Sequence, residues 1–322
     1  LLEKILKERK KRWIEDSAEK ARKKAEEKAI KLGKTWTEKV NEKTLAAEKA
    51  KASKKYKEPS SPDTSGLPEL PEGWCWVSIS IISNVSSGYA FKSKDFIREK
   101  DDECYQIIKM ANIQDSKINL ERMPFYIKNI ERKVLENSGL NKNDILITLT
   151  GTRKKRDYGE VALIDNKNKL VMNQRIARIR CGKGVISKFL FYVLQTDIFR
   201  NQFFEAETGN VGQGNVSINA VKNALIPFPN LDEQERIAFE IEKTLSSIEN
   251  LKKTIKISEF RIKTFYESIL KNAFNGKLVD QDPNDEPASV LLERIKSELK
   301  KNSNSTRSKK QTKSKITNSN NS

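Results

Sequence analysis

Apolar residues change their spacing several times along this chain, and each change marks an organisational boundary. Residues 1–57 are a mixture of Ala, Lys and Glu that favours helix, with a thin apolar stripe and a break expected at Gly33. A linker at 58–73 follows, where Pro59, Pro62, Pro68 and Pro71 alternate with Gly66 and Gly73 and forbid regular structure. Between 74 and 230 the pattern becomes short β-rich runs, VSISIISNV, QIIKM, DILITLT, EVALI and ARIRC, separated by Gly, Asn and Asp turns. With one helical stretch around 187–204, this predicts a mixed α/β domain. From 231 to 275 the spacing becomes sevenfold: Ile241, Ile248, Ile255, Ile262 and Ile269 recur through five heptads, accompanied by Leu251 and Phe265 at the intervening positions. The pattern predicts one long helix opened by Asp232 as N-cap, with Glu235 three positions on, and ended by Gly276. Its seam of Ile241, Ile248, Leu251, Ile255, Ile262, Phe265 and Ile269 reads as a helix-pairing, coiled-coil surface, an ordinary core helix being the alternative. Such a rod is about 60 Å long at ~1.5 Å per residue. A second helical segment is expected at 276–300, and the polar tail at 301–322 is too poor in apolar residues to fold.

The end of the chain repeats its beginning. VLLERIKSELKK at 290–301 matches LLEKILKERKK at 1–11, with seven of eleven aligned positions identical. A segment repeated on either side of one domain predicts a duplicated architecture. Because the sequence begins with Leu1, the expectation is the later half of a two-unit protein, a natural half-subunit acting as a homodimer being the alternative.

Charge sharpens this division. The formal net charge is +18, yet residues 1–57 hold 20 Lys and Arg against 10 Asp and Glu, and residues 296–322 hold 8 against 1. The middle therefore keeps 34 against 33, so any nucleic-acid binding there must use local patches, while the basic ends add sequence-blind attraction to phosphate or solubility. The chain contains no histidine, which removes His-dependent triads, His-ligated zinc and the commonest general base. Cys75, Cys104 and Cys181 have no paired spacing, and no apolar run is long enough to span a bilayer. A reduced, cytoplasmic protein without a membrane partner is expected.

Several motifs then converge. LPELPEGW at 67–74, SGYAFKSKDF at 87–96, NDILITLTGT at 143–152, NQRIARIR at 173–180, GQGNVSINAVKNALIPFP at 212–229, EQERI at 233–237 and NGKLVDQDPNDEPASVLLERI at 275–295 together resemble the specificity subunit of type I restriction-modification systems. The resemblance implies a DNA-reading, non-catalytic subunit in which an α/β target recognition domain is held on long, coiled-coil-forming helices. It further implies double-stranded DNA, two methyltransferase subunits and two motor-nuclease restriction subunits as partners. One recognition domain would read half of a bipartite site, the other half falling to a missing domain or to a second copy paired through the helix. S-adenosylmethionine, ATP and Mg would act in the partner subunits, with no cofactor in this chain.

The residues bear their own reading. Base recognition needs Arg or Lys for guanine, Asn or Gln for adenine, and glycines that let loops approach the groove. Arg153, Lys154, Lys155 and Arg156, between Gly151 and Gly159, form a basic loop suited to phosphate or guanine, or else a solvated hairpin tip. Gln213 and Asn215 lie in the glycine-rich stretch 209–215, where amides can reach adenine edges or serve only as turn residues. Lys92, Ser93 and Lys94 after Gly88 make a third candidate; Asn173, Gln174 and Arg175 make a fourth, with structural hydrogen bonding the alternative. Catalytic signals are missing: no Asn or Asp precedes Pro-Pro and an aromatic, and Gly209, Gly212 and Gly214 have the wrong order for a dinucleotide fingerprint. Asp280, Asp282 and Asn284 begin like a calcium loop, but Asp285 stands where glycine is required and Leu291 where the closing Glu belongs, so no metal site is expected. Asp282 and Glu286 are expected to flank the next helix instead. The rival reading from another class is a coiled-coil adaptor without sequence-selective DNA binding.

Overall fold

A computed structural model describes residues 2–58, 63–165, 169–209 and 212–301. Leu1, part of the proline linker at 59–62, residues 166–168, the middle of the glycine-rich stretch at 210–211 and the tail from 302 onward lie outside the described residues. The chain divides into two compact units, Leu1–Thr244 and Leu245–Ser322.

The first unit opens with a helical hairpin. Helix Leu2–Lys31 ends where Gly33 adopts φ +67° and the Lys34 amide donates to Ala29 O at 2.9 Å, a left-handed cap that glycine enters without strain. Helix Glu38–Lys55 starts on Thr37, whose hydroxyl accepts from the Val40 amide. The hairpin is fastened by its residues, not by a broad apolar face. Ile5 and Leu6 pack on the domain core, Arg12 Nη2 donates to Ile81 O at 3.2 Å, and Trp13 meets Tyr56 edge to face at 5.4 Å. The Arg12 guanidinium lies directly over Gly182, where a β-carbon would require that flexible side chain to shift.

A four-stranded antiparallel sheet, Val161–Leu163, Ile145–Thr148, Ile176–Cys181 and Ser83–Ser87, forms the centre of the domain. Its middle strand is buried on both faces: Ile145 and Ile147 enter one core cluster, Leu146 the other. That explains why DILITLT is continuously apolar and not alternating. A second four-stranded sheet orders Tyr126–Ile127, Tyr105–Ile108, Leu170–Met172 and Gly139–Leu140, with its central pair parallel. Cys75–Ser78 pairs with Leu225–Phe228 and brings the two ends of the domain together.

The structure departs from the sequence pattern in three places. VSISIISNV is not one strand, because a helical turn at Ile79–Ile82 separates Cys75–Ser78 from Ser83–Ser87. A strand would send Ile81 and Ile82 to opposite faces, whereas the turn folds Ile79, Ile81 and Ile82 into one cluster with Val77 and Val85. The stretch at 187–204 is two helices, Ser187–Val193 and Asp197–Glu205, separated by Thr196 in extended conformation; they bury Phe189 and Leu190, and Phe199 and Phe203. The long helix Leu231–Phe274 is capped not by Asp232 but by Asn230, whose Oδ1 accepts from the Glu233 amide at 3.0 Å. Its register is fixed by Gln234, which is fully buried: Oε1 accepts from the Ile186 amide at 3.0 Å, while Nε2 donates to Pro229 O at 3.0 Å and Gly184 O at 3.4 Å.

In the second unit the helix continues without covering its apolar residues. Ile248, Leu251, Ile255, Ile262 and Phe265 are exposed, while Ile269 is partly buried, as is Ile241 in the first unit. The helix ends at Gly276 (φ +67°) with the Lys277 amide donating to Asn272 O at 2.8 Å. Asp282 closes a turn by accepting from the Asn284 amide at 2.9 Å, Glu286 pairs with Arg294, and residues 288–301 are helical. No described helix is long and apolar enough to cross a membrane.

Candidate nucleic-acid interface

Two of the four candidate segments are neighbouring parts of one small sheet. Gln213–Val216 lies between Thr150–Thr152 and Glu207–Thr208, with Gln213 opposite Thr152, Gly214 opposite Gly151 and Asn215 opposite Thr150. Strand alternation exposes Gln213 and Asn215 and buries Gly214 and Val216. The basic residues 153–156 continue directly from the partner strand. Their hairpin is closed by the Lys155 and Arg156 amides, which donate to Thr152 O at 3.1 and 2.9 Å, and by Asp157 Oδ1, which accepts from the Thr152 amide at 2.6 Å. Exposed amides therefore stand beside exposed cations, a pairing of base-edge and phosphate chemistry.

The cations differ in their commitments. Arg153 Nε donates to Glu207 Oε2 at 3.3 Å, and Arg156, at φ +47°, places its guanidinium 4.8 Å from the Phe204 ring centroid. Lys154 and Lys155 are exposed at the tip. Behind the sheet, Tyr158 is fully buried and its hydroxyl donates to Glu207 Oε1. Burial first, and the Glu207 carboxylate second, push the Tyr158 phenol up to about 12, so it remains a donor across the physiological range.

The fourth candidate segment adjoins this sheet through the backbone. Asn173, Gln174 and Arg175 form the turn between Leu170–Met172 and Ile176–Cys181; Arg175 O accepts from the Leu149 amide at 2.9 Å, and Leu149 O accepts from Val216 at 2.8 Å. Gln174 and Arg175 are exposed. Asn173 is half-buried and shapes the turn: its main chain bonds Ile108 and Ile176, and its side chain accepts from the Arg175 amide at 3.4 Å. Gly88 belongs to the same junction, since a β-carbon there would run into the Asn173 main chain. Lys92, Ser93 and Lys94 lie farther along from Gly88, exposed around the single 3-10 turn Ser93–Asp95. Thus segments 151–156 and 213–215 are joined by strand pairing and 173–175 is linked to them through Leu149, whereas 92–94 lies farther along the chain from the Gly88 junction.

Sequence reasoning missed the structural role of two arginines on the strand Ile176–Cys181, which follows the 173–175 turn. The last two Arg residues of NQRIARIR, unlike Arg175, are structural: Arg180 forms a two-pronged pair with Asp144, Nε to Oδ1 at 2.7 Å and Nη2 to Oδ2 at 2.6 Å. Arg178 is buried and donates to Gly139 O; desolvation first, then Arg180, lower it to about 10. In the sequence, only the spacing of Arg178 and Arg180 two positions apart on a strand hints that these side chains share one face.

Comparison with known proteins agrees with this architecture. Residues 71–259 match the family model described as type I restriction modification DNA specificity domain. The Escherichia coli type I restriction enzyme EcoBI specificity subunit is 24% identical over 240 residues, 71% of this chain and 48% of its own length. The EcoKI specificity subunit of Escherichia coli K12 is 25% identical over 232 residues, 70% of this chain and 48% of its own. The chain thus spans about half the length of these curated relatives. A solved structure concerned with complex assembly and conformational transition of the type I R-M system has a chain of the same fold, with TM-score 0.51 and 18% identity over 66% of this chain and 48% of that one.

Proposed function

The chain belongs to the type I restriction modification DNA specificity family, and from that premise we propose that it reads one half of a bipartite DNA site without performing chemistry itself. The observation that carries the proposal is the joined set of exposed Gln213, Asn215, Gln174 and Arg175 beside the basic hairpin at 153–156. Amides and guanidinium groups discriminate base edges in the major groove, and the hairpin lysines supply the phosphate contacts that fix register. Lys92, Ser93 and Lys94 add an outlying phosphate contact in this reading.

The long helix acts as the spacer. Its seam from Ile241 to Ile269 packs on an equivalent helix, from another recognition unit or a second copy, and sets the distance between the two halves of the site. Relatives bear the name of restriction-enzyme specificity subunits. By extension, this chain joins two methyltransferase and two motor-nuclease subunits in the cytoplasm, where S-adenosylmethionine, ATP and Mg serve the partners.

Exchange of residues 67–231 for the corresponding domain of another specificity subunit tests the assignment. Sequencing of methylated positions in cells carrying the exchanged protein should show one half of the site changed and the other retained. Methylation of the original site unchanged would exclude this domain as the reader.

A further inference from the structure

Gly151 and Gly214 face each other across the small sheet. A β-carbon at Gly214 would collide with Glu207 Oε1 and Tyr158 OH, and one at Gly151 would lie 2.7 Å from Tyr158 Cδ1. The paired glycines therefore leave a notch in the buried face of the sheet, and the Tyr158 hydroxyl and Glu207 carboxylate occupy it. Gln213 and Asn215 occupy alternate positions of the same strand and are exposed. Glu207 is 9% exposed at its side chain and divides its two oxygens between separate elements: Oε1 accepts from Tyr158, Oε2 from Arg153. A nearly buried carboxylate held by two donors fixes both donors relative to itself.

Resting on the functional reading above, we propose that Tyr158, Glu207 and Arg153 form a positioning relay, seated in the Gly151–Gly214 notch, that holds the Gln213 strand and the basic hairpin as one rigid reading edge. Arg153 is in this view a positioning residue acting through Glu207, while Lys154 and Lys155 meet the phosphates. The relay links the strand at Glu207–Thr208, the hairpin at 153–156 and the buried Tyr158 next to it. Each of the three is cross-linked by a side chain, so no one of them can shift without moving the amides at 213 and 215. Phe203 and Phe204 close the other side of the tyrosine, with ring centroids 6.2 and 5.4 Å away, which keeps the phenol from rotating out of the notch.

The test uses the full-length chain with Tyr158→Phe, Glu207→Gln and Arg153→Ala, and two readouts. In amide hydrogen exchange, Tyr158→Phe and Glu207→Gln should raise exchange at 150–153 and 213–216 together by about tenfold, the loss of one hydrogen bond to a charged group. The central strand at 145–148 should keep its protection, which shows that the fold survives. In selection and sequencing from a pool of randomised DNA duplexes, the same variants should lower base discrimination while leaving the salt dependence of binding unchanged. A phosphate contact by Arg153 has a different signature: Arg153→Ala would reduce the slope of log affinity against log salt by about one with discrimination intact. That result, or exchange rising in only one of the two segments, overturns the relay. A wild-type chain that selects no sequence overturns the functional reading instead, and the exchange experiment then still decides whether the relay exists.

Discussion

The recognition domain and the part of the long helix beyond Thr244 use their large apolar residues in opposite ways. In the domain, Ile145, Leu146 and Ile147 are fully buried between two core clusters, and Phe199 and Phe203 are sealed in the larger of them. On the helix, Ile255 is 56% exposed, Phe265 68% and Ile262 69%, although the chain places them with greater regularity. The domain completes its core from its own segments, whereas the heptad residues of the helix stay exposed, the surface proposed above to pack on another helix. On the proposed reading, two kinds of mutational effect should separate: substitutions in the domain should act on folding, and substitutions along the seam on assembly.

The largest effects should show this separation directly. Phe203→Ala removes a fully buried ring that packs on Tyr158, Phe199 and Phe204, and should destabilise the domain by about 3–5 kcal/mol in chemical denaturation. Phe265→Ala should leave the same transition within about 0.5 kcal/mol. Ile255→Asp should disperse the helix-paired assembly in sedimentation experiments, because an unpaired carboxylate in a closed seam costs at least several kcal/mol. The domain transition should remain where it was. If Ile255→Asp instead unfolds the domain and leaves the assembly intact, the two regions are not independent in the way their burial indicates.

Gln234 stands where the two regimes meet, and its effect should be intermediate. Its amide bonds three main-chain groups at the root of the long helix. Gln234→Ala leaves the Ile186 amide and two carbonyls without these partners, so a loss of about 1–3 kcal/mol is expected. Hydrogen exchange should locate that loss at 184–186 and 230–236, not at the seam. Uniform loosening of the whole helix would mean that it is held by its exposed length and not by its root.

These residues also show how far the sequence could be read. The long helix, its terminus at Gly276 and the apolar strand at 145–148 follow from local spacing, because each is decided by contacts within a few turns or one sheet position. The helical turn at Ile79–Ile82 is not legible that way, since isoleucines spaced as in a strand are diverted by the Ala224 carbonyl, which accepts from the Ile79 amide far along the chain. The same holds for the site. The loops could be named from their glycines and cations, yet the pairing of Arg153 with Glu207, 54 residues away, depends on three strands meeting. Gly151 and Gly214 appear in the sequence as flexible loop residues, while in the fold they are facing gaps in a sheet. Elements decided by local spacing are legible, while those set by a distant partner, and the buried side chains that hold two elements together, are not.

The smallest effects bear on the exposed edge of the domain, where neither folding nor helix pairing is involved. Gln213→Ala should relax selection at one position by ~1–3 kcal/mol if its amide meets a base edge. Lys154→Ala should weaken binding to all sequences by a similar, modest factor and flatten the salt dependence by about one unit of slope, as loss of one phosphate contact requires. Both variants should unfold like the wild type, because Gln213 and Lys154 are exposed and far less committed than Phe203 or Gln234. Competition titrations over a range of salt distinguish the two residues. An unchanged slope for Lys154→Ala, combined with altered base preference, would reverse their roles and make the hairpin the reader and the amide strand its support.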